Sequence, residues 1–149
     1  MKTLLLTFAL LTGLFTNTIA AYRLAAPGDS ATYKLTIDFT NVTKRTGLLY
    51  VGLVNDAADF NGNSYRKARI QIPSTGDFQV KFDVLPAGRY AVKVFHDLNY
   101  NQKLDKTNQM PTEPFGFSNV TMLMGPPSFE QSAFEFNAPK PIVIRLIGQ

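Results

Sequence analysis

Four side chains that carry oxygen ligands follow one another at short intervals directly after an apolar segment. Asp97, Asn99, Asn101 and Asp105 occupy positions 1, 3, 5 and 9 of a loop that begins at Asp97. Calcium loops present oxygens at this spacing and add the backbone carbonyl of position 7, which here belongs to Lys103. The spacing therefore predicts a Ca²⁺ site made by these five residues, and Ca²⁺ is the one cofactor that the sequence indicates.

Several features of the same loop lower the expected affinity. Position 6 is Gln102, where calcium loops place Gly for a sharp turn, and position 12 is Asn108, where a bidentate Glu is expected. Lys103 and Lys106 reduce the negative charge further. We therefore expect a dissociation constant of roughly 10⁻⁴–10⁻³ M. The alternative is an Asn- and Asp-rich turn in which these side chains satisfy backbone N–H groups without an ion.

Few other residues suggest catalysis. His96 is the only histidine and shares the phase of the apolar residues before it, so we expect a hydrogen-bonded residue at the edge of the core. The chain has no Cys and no Gly-x-Ser-x-Gly turn to supply a nucleophile. Asp97, Asp105 and Glu113 are the remaining acid–base candidates, and a glycan-directed hydrolase that uses them is the alternative function. The sequence favours a protein that is not an enzyme.

The segment 111–119 combines rigid Pro, permissive Gly and aromatic rings. Rings on a loop either stack on a ligand or close the open end of a sandwich. Phe115, Phe117 and Asn119 are the candidate ligand-binding residues of this segment.

The elements that must position these residues follow a hydrophobic period of two, which predicts an all-β fold of about seven strands. The predicted strands lie within residues 33–40, 48–54, 67–72, 78–84, 90–96, 134–136 and 142–146. Phe78, Val80, Phe82 and Val84 are expected to share one inward face. Links of hairpin length favour an antiparallel sandwich of two sheets. The side chains expected between the sheets are Leu35, Ile37, Val51, Val80, Phe82, Val92, Val94 and Ile144.

Residues 98–132 interrupt this pattern. A structureless connection longer than about 15 residues is uncommon in a compact domain. The segment contains aromatic residues and three of the four Met residues, so we expect one long ordered loop packed across an end of the sandwich. Single helical turns are expected at 56–60 and at 128–131, where Ser and Gln have capping-box spacing.

The N-terminal segment resembles a secretion signal. Lys2 precedes an apolar run over 4–15, and the small residue Ala20 suits cleavage. The run is shorter than the roughly 20 apolar residues that span a bilayer. We expect a signal peptide at 1–20, a lead-in at 21–32 and a single domain at 33–149, exported to the periplasm or the extracellular space. The formal net charge of +4 is spread along the chain and does not favour nucleic acid as a partner.

Several separated segments occur in an order that is similar to a known family. They are Leu85-Pro86-Ala87-Gly88-Arg89-Tyr90-Ala91-Val92, Phe95-His96-Asp97, Pro111-Thr112-Glu113, Phe115-Gly116-Phe117-Ser118-Asn119 and Gly125-Pro126-Pro127-Ser128-Phe129. The chain resembles, over roughly residues 33–147, the secreted bacterial family called domain of unknown function twenty-one forty-one. The resemblance implies a bacterial exported protein with a prealbumin-like or immunoglobulin-like sandwich, and it implies no activity. Family members often carry Gly where this chain has Gln102 and Pro114.

These observations favour a non-catalytic exported β-sandwich that binds a surface partner or ligand through residues 98–132. The partner class is a protein, a glycan or an envelope component. A third interpretation is a purely structural accessory protein of the cell envelope.

Overall fold

A computed structural model describes residues 31–148. The predicted signal peptide and residues 21–30 of the predicted lead-in lie outside this range. The elements are β1 (Thr32–Thr40), β2 (Leu48–Val54), a 3-10 turn (Ala57–Asp59), β3 (Arg66–Gln71), β4 (Gln79–Pro86), β5 (Gly88–Asp97), β6 (Lys106–Thr107), β7 (Met110–Pro111), β8 (Phe115–Phe117), α1 (Phe129–Ser132), β9 (Phe134–Phe136) and β10 (Pro141–Arg145). Within residues 31–148, no helix has the length and apolar character needed to cross a membrane.

The strands form two main sheets, which confirms the predicted all-β sandwich. One sheet has the order β10-β1-β4, and the other has the order β3-β2-β5-β8 with β9 added beside the start of β5. All the pairs in these sheets are antiparallel except β1 and β10, which run parallel. The three strands beyond the predicted seven are two or three residues long, and they lie inside the segment 98–132.

The core lies between the two sheets. All eight side chains predicted to be buried there are buried, and Phe136, Leu49 and Leu146 extend the same cluster. The alternation that predicted the core arises because successive strand residues point to opposite faces. The two predicted helical turns are also present. Asp56 caps the 3-10 turn, and Ser128 and Gln131 form a reciprocal capping box at α1.

The prediction that Val84 faces the core was wrong. Val84 is 64 % exposed and has a φ of +55°. The register between β1 and β4 shifts there, from Leu35 opposite Phe82 to Tyr33 opposite Leu85, which is the signature of a β-bulge. The extra residue moves Val84 outward, and Leu85 takes the inward position with no exposed area.

The segment 98–132 is built into the second sheet. β6 and β7 pair as a short hairpin, and β8 pairs with β5 through Phe115, Gly116 and Phe117. A Cβ atom on Gly116 would lie 2.8 Å from the carbonyl oxygen of Arg145 and 2.9 Å from Ile144. Only a glycine therefore lets β8 approach β10 so closely. This contact fixes the outward direction of Phe115 and Phe117.

Candidate functional site

The loop that follows β5 is organised around a buried carboxylate. Asp97 has no exposed area, and its two carboxylate oxygens accept hydrogen bonds from the backbone N–H groups of Asn101, at 3.1 Å, and Gln102, at 2.8 Å. Gln102 has a φ of +65°, the conformation for which calcium loops use Gly. The Asp97 carboxylate therefore holds a sharp turn without glycine at its sixth position.

The structure brings together the four side chains predicted to bind Ca²⁺. The amides of Asn99 and Asn101 donate to the two oxygens of Asp105, at 2.7 and 2.8 Å. The side-chain oxygen of Asn99 accepts from the N–H of Asn101, and that of Asn101 accepts from the N–H of Lys103. These are the contacts of successive Asx turns. In the described part of the chain, no group of three or more His, Cys, Asp or Glu side chains is placed to hold a metal ion.

Glu113 closes the loop from the far side of the β6–β7 hairpin. It is 4 % exposed, and its carboxylate accepts hydrogen bonds from the N–H of Leu98, at 2.8 Å, and the N–H of Asp105, at 3.1 Å. The N–H of Thr112 also donates to the Asp105 carbonyl. Sequence reasoning treated Glu113 only as a possible acid or base, whereas its contacts join the two ends of the 97–105 loop.

His96 is fully buried and hydrogen-bonded, as predicted. Its Nε2 lies 2.5 Å from the carbonyl oxygen of Thr46, so Nε2 carries the hydrogen and donates it. Its Nδ1 has no hydrogen-bond partner among the described residues. The backbone N–H of His96 donates to the carbonyl of Pro114, which attaches the end of the Pro-Thr-Glu-Pro segment to β5.

A groove of about 480 Å³ lies on the outer face of the second sheet; we call it the outer groove. One of its walls is formed by Gly62 and Ser64, and Gln102 and Leu104 from the 97–105 loop also line it. Its outward-facing floor residues are Tyr50, Gly52, Lys67, Lys93, Phe95, Phe115 and Phe117. The segment 98–132 thus contributes Gln102 and Leu104 to the rim of the outer groove and Phe115 and Phe117 to its floor.

Aromatic rings form a row across the floor of the outer groove. The rings of Tyr50 and Phe95 stack with centroids 4.8 Å apart and planes 2° from parallel. Phe95 pairs with Phe115 across β5 and β8, and Phe115 contacts Phe117 edge to face at 6.1 Å. The Tyr50 hydroxyl is out of contact with solvent and has no hydrogen-bond partner among the described residues.

Two lysines lie beside this row. Gly52 pairs with Lys67 on one side and Lys93 on the other. The Lys93 ammonium donates to the carbonyls of Phe60, at 2.8 Å, and Gly62, at 2.9 Å. Burial, and to a smaller extent the positive charge of Lys67, lower the pKa of Lys93, while the negative charge of Asp59 opposes them.

Gly52 makes room for the wall of the outer groove. A Cβ atom at this position would lie 2.4 Å from the Ser64 hydroxyl oxygen. Because Gly52 has no side chain, Ser64 lies directly over β2 between the two lysines.

Asn119 does not belong to this groove. Its amide donates to the carbonyl of Ala133 at 2.6 Å, and it lines a separate surface depression with Met122 and Met124. Of the three predicted ligand-binding residues, the structure therefore brings only Phe115 and Phe117 together.

The sequence model of the family described as "Uncharacterized protein conserved in bacteria (DUF2141)" matches residues 37–143. The chain belongs to the DUF2141 family. This result confirms the resemblance inferred from the separated segments. No curated protein and no solved structure matches the chain.

The DUF2141 match includes the whole 97–105 loop, Glu113 and every floor residue of the outer groove. Sequence reasoning missed Tyr50, Phe95, Lys67 and Lys93. One of these residues could have been found from the sequence. Phe95 is an aromatic residue that falls on the solvent side of an alternating strand, which is unusual for a residue that only packs in the core. Tyr50 lies in a strand that is apolar on both faces, so the alternation gives no signal that separates it from core residues.

Proposed function

We propose that this DUF2141 protein is a non-catalytic exported binding module whose ligand occupies the outer groove. The observation that carries the proposal is the combination of an aromatic floor, two lysines and a wall on one sheet face. Ligand sites are typically concave, have volumes of about 300–1,000 Å³ and combine apolar surface with a few polar groups. The outer groove, at about 480 Å³, meets each of these conditions.

The contacts of the carboxylates support binding rather than hydrolysis. Both oxygens of Asp97 and both oxygens of Glu113 accept backbone N–H groups, and neither side chain is exposed by more than 4 %. A general acid or base must come within hydrogen-bond distance of the substrate proton. A polymer cannot approach Asp97 or Glu113 without opening the loop that these residues hold together. Asp105 is partly exposed, and its two oxygens accept the side-chain amides of Asn99 and Asn101.

The proposal retains a weak Ca²⁺ site in the 97–105 loop. The loop supplies the rim residues Gln102 and Leu104, so an ion there would also fix the rim of the outer groove. Binding would require the amides of Asn99 and Asn101 to turn their oxygens toward the ion, because their N–H groups now donate to Asp105. This rearrangement costs existing hydrogen bonds and agrees with an affinity at the weak end of the calcium-loop range.

Export is the remaining part of the proposal, because the predicted signal peptide would carry the domain to the periplasm or beyond the cell. The ligand class is then one that an exported protein meets, namely an envelope or extracellular compound. A structural accessory role would leave the outer groove without a ligand.

Chemical-shift mapping of the mature chain by NMR tests the site. The probes are a panel of glycan oligomers, short peptides and amphiphiles, each added separately. We expect at least one probe to shift the amides of Gly52, Lys67, Lys93 and Phe115 while the outer face of the other sheet, reported by Thr36, Lys81 and Val143, stays unchanged. If every probe that binds acts only on the other sheet, or if none binds, the outer groove is not the ligand site.

A further inference from the structure

We propose that the outer groove binds an anionic amphiphile, with a carboxylate or phosphate headgroup at Lys67 and Lys93 and an alkyl or acyl body along the aromatic row. This inference rests on the proposed function and specifies its ligand class. It follows from three observations: two lysines without an ion pair among the described residues, a row of aromatic rings beside them, and the Ser64 hydroxyl between the two lysines.

The positive charge is not neutralised within the groove. The residues that line it include Lys67 and Lys93 but no Asp or Glu. Lys67 makes no hydrogen bond or ion pair with the described residues, and neither lysine has a salt bridge there. The carboxylate of Asp59 is near enough to influence Lys93 but does not line the groove. An oxyanion between the two ammonium groups would relieve their mutual repulsion.

Hydrogen-bond donors surround the same position. The Lys93 ammonium has three N–H groups and uses two of them on the carbonyls of Phe60 and Gly62. The Ser64 hydroxyl, which lies over Gly52 between the lysines, makes no hydrogen bond with the described residues. Lys67, Lys93 and Ser64 therefore offer donors from three positions around Gly52, and a carboxylate or phosphate accepts hydrogen bonds from such donors.

The floor selects an apolar body. Tyr50 and Phe95 stack on each other, which covers one face of each ring, so a ligand that lies across the row meets the ring edges. A flexible chain can follow such a surface, whereas a sugar or base normally stacks on an open ring face.

Calorimetric titration with defined probes tests the inference. The probes are decanoate and decyl phosphate, each below its critical micelle concentration, with decanol and inorganic phosphate as controls for the chain and the charge. We expect decanoate or decyl phosphate to bind at least about tenfold more tightly than either control, because one charge-assisted hydrogen bond corresponds to about that factor. The stronger of the two shows whether the headgroup is a carboxylate or a phosphate.

Two variants locate the binding. Lys67→Gln should weaken binding about tenfold, while Lys81→Gln on the outer face of the other sheet should leave it unchanged. Phe95→Gln should weaken binding of the decyl chain without changing the weak binding of inorganic phosphate. Each variant is first checked for an unchanged melting temperature.

The binding should also depend on pH. Because the pKa of Lys93 is lowered, the affinity for the anionic probes should fall with rising pH before an ordinary lysine would lose its charge, near pH 10.5.

Equal binding of decanol and decanoate, or full affinity in Lys67→Gln, would overturn the inference. So would the absence of binding by both anionic probes. The proposed function would still stand in these cases if another probe of the NMR panel shifts the amides of the outer groove. It would fail with the inference only if no probe reaches that face.

Discussion

At the scale of single residues, the loop after β5 shows what a spacing pattern does and does not determine. Hydrogen bonds join Asp97, Asn99, Asn101 and Asp105. The alternation of Asp and Asn predicted a Ca²⁺ ligand set from these residues, which stays a prediction. It did not predict Glu113, because that residue reaches the loop only through the β6–β7 hairpin. The lysines of the outer groove were missed for a similar reason. Lys67 and Lys93 become neighbours of Gly52 only through the register of three strands.

The calcium prediction belongs to the same scale. With a dissociation constant near 1 mM, about 10 mM Ca²⁺ should stabilise the protein by about 1.4 kcal/mol, since the gain equals RT ln(1 + [L]/Kd). That corresponds to a rise in Tm of about 5 °C over the value in EDTA. Asp105→Asn should remove the rise, whereas Asn108→Ala should keep it if position 12 supplies no ligand. A wild-type Tm that does not change with Ca²⁺ would leave only a turn held by Asx hydrogen bonds.

At the scale of elements, the alternation of apolar and polar residues with a period of two located the long strands well. The predicted segment 48–54 coincides with β2, because its residues are apolar on both faces and the residues that flank it are polar or Gly. The period could not detect the bulge at Val84, since Val84 and Leu85 are both apolar and either could continue the inward face. The short strands β6, β7 and β8 contain too few residues to show a period at all.

The bulge makes a testable prediction about an exposed valine. A φ of +55° destabilises a β-branched residue by about 1–2 kcal/mol through steric repulsion. Gly adopts this φ without repulsion, and its greater loss of backbone entropy on folding costs only about 0.5–1 kcal/mol. Val84→Gly should therefore increase the free energy of unfolding by about 0.5–1 kcal/mol in denaturant titrations. Val143→Gly is the matched control, because Val143 is also exposed on an edge strand but lies in regular β10. It should lower stability by up to about 1 kcal/mol. Equal losses in both variants would show that Val84 is not strained.

At the scale of the whole molecule, one strand serves both the core and the outer groove. Val92 and Val94 of β5 are buried between the sheets, while Lys93 and Phe95 face the groove. The chain has no Cys, so no disulfide adds to the stability that burial provides. The face that carries the outer groove is therefore supported directly by the core on the other side of β5.

Export can be tested on the whole chain in its native host. Cleavage after Ala20 would leave every residue of the described range 31–148 in place, so the mature protein should retain the complete sandwich and outer groove. Mass spectrometry of the protein from cell fractions should find an N-terminus near Ala21 or Tyr22 in the periplasm or the medium. Ala20→Leu removes the small residue that cleavage requires and should accumulate the uncleaved precursor. An intact Met1 on the mature, soluble protein would contradict both the signal peptide and the proposed encounter with an envelope ligand. The outer groove would then have to be tested against amphiphiles inside the cell.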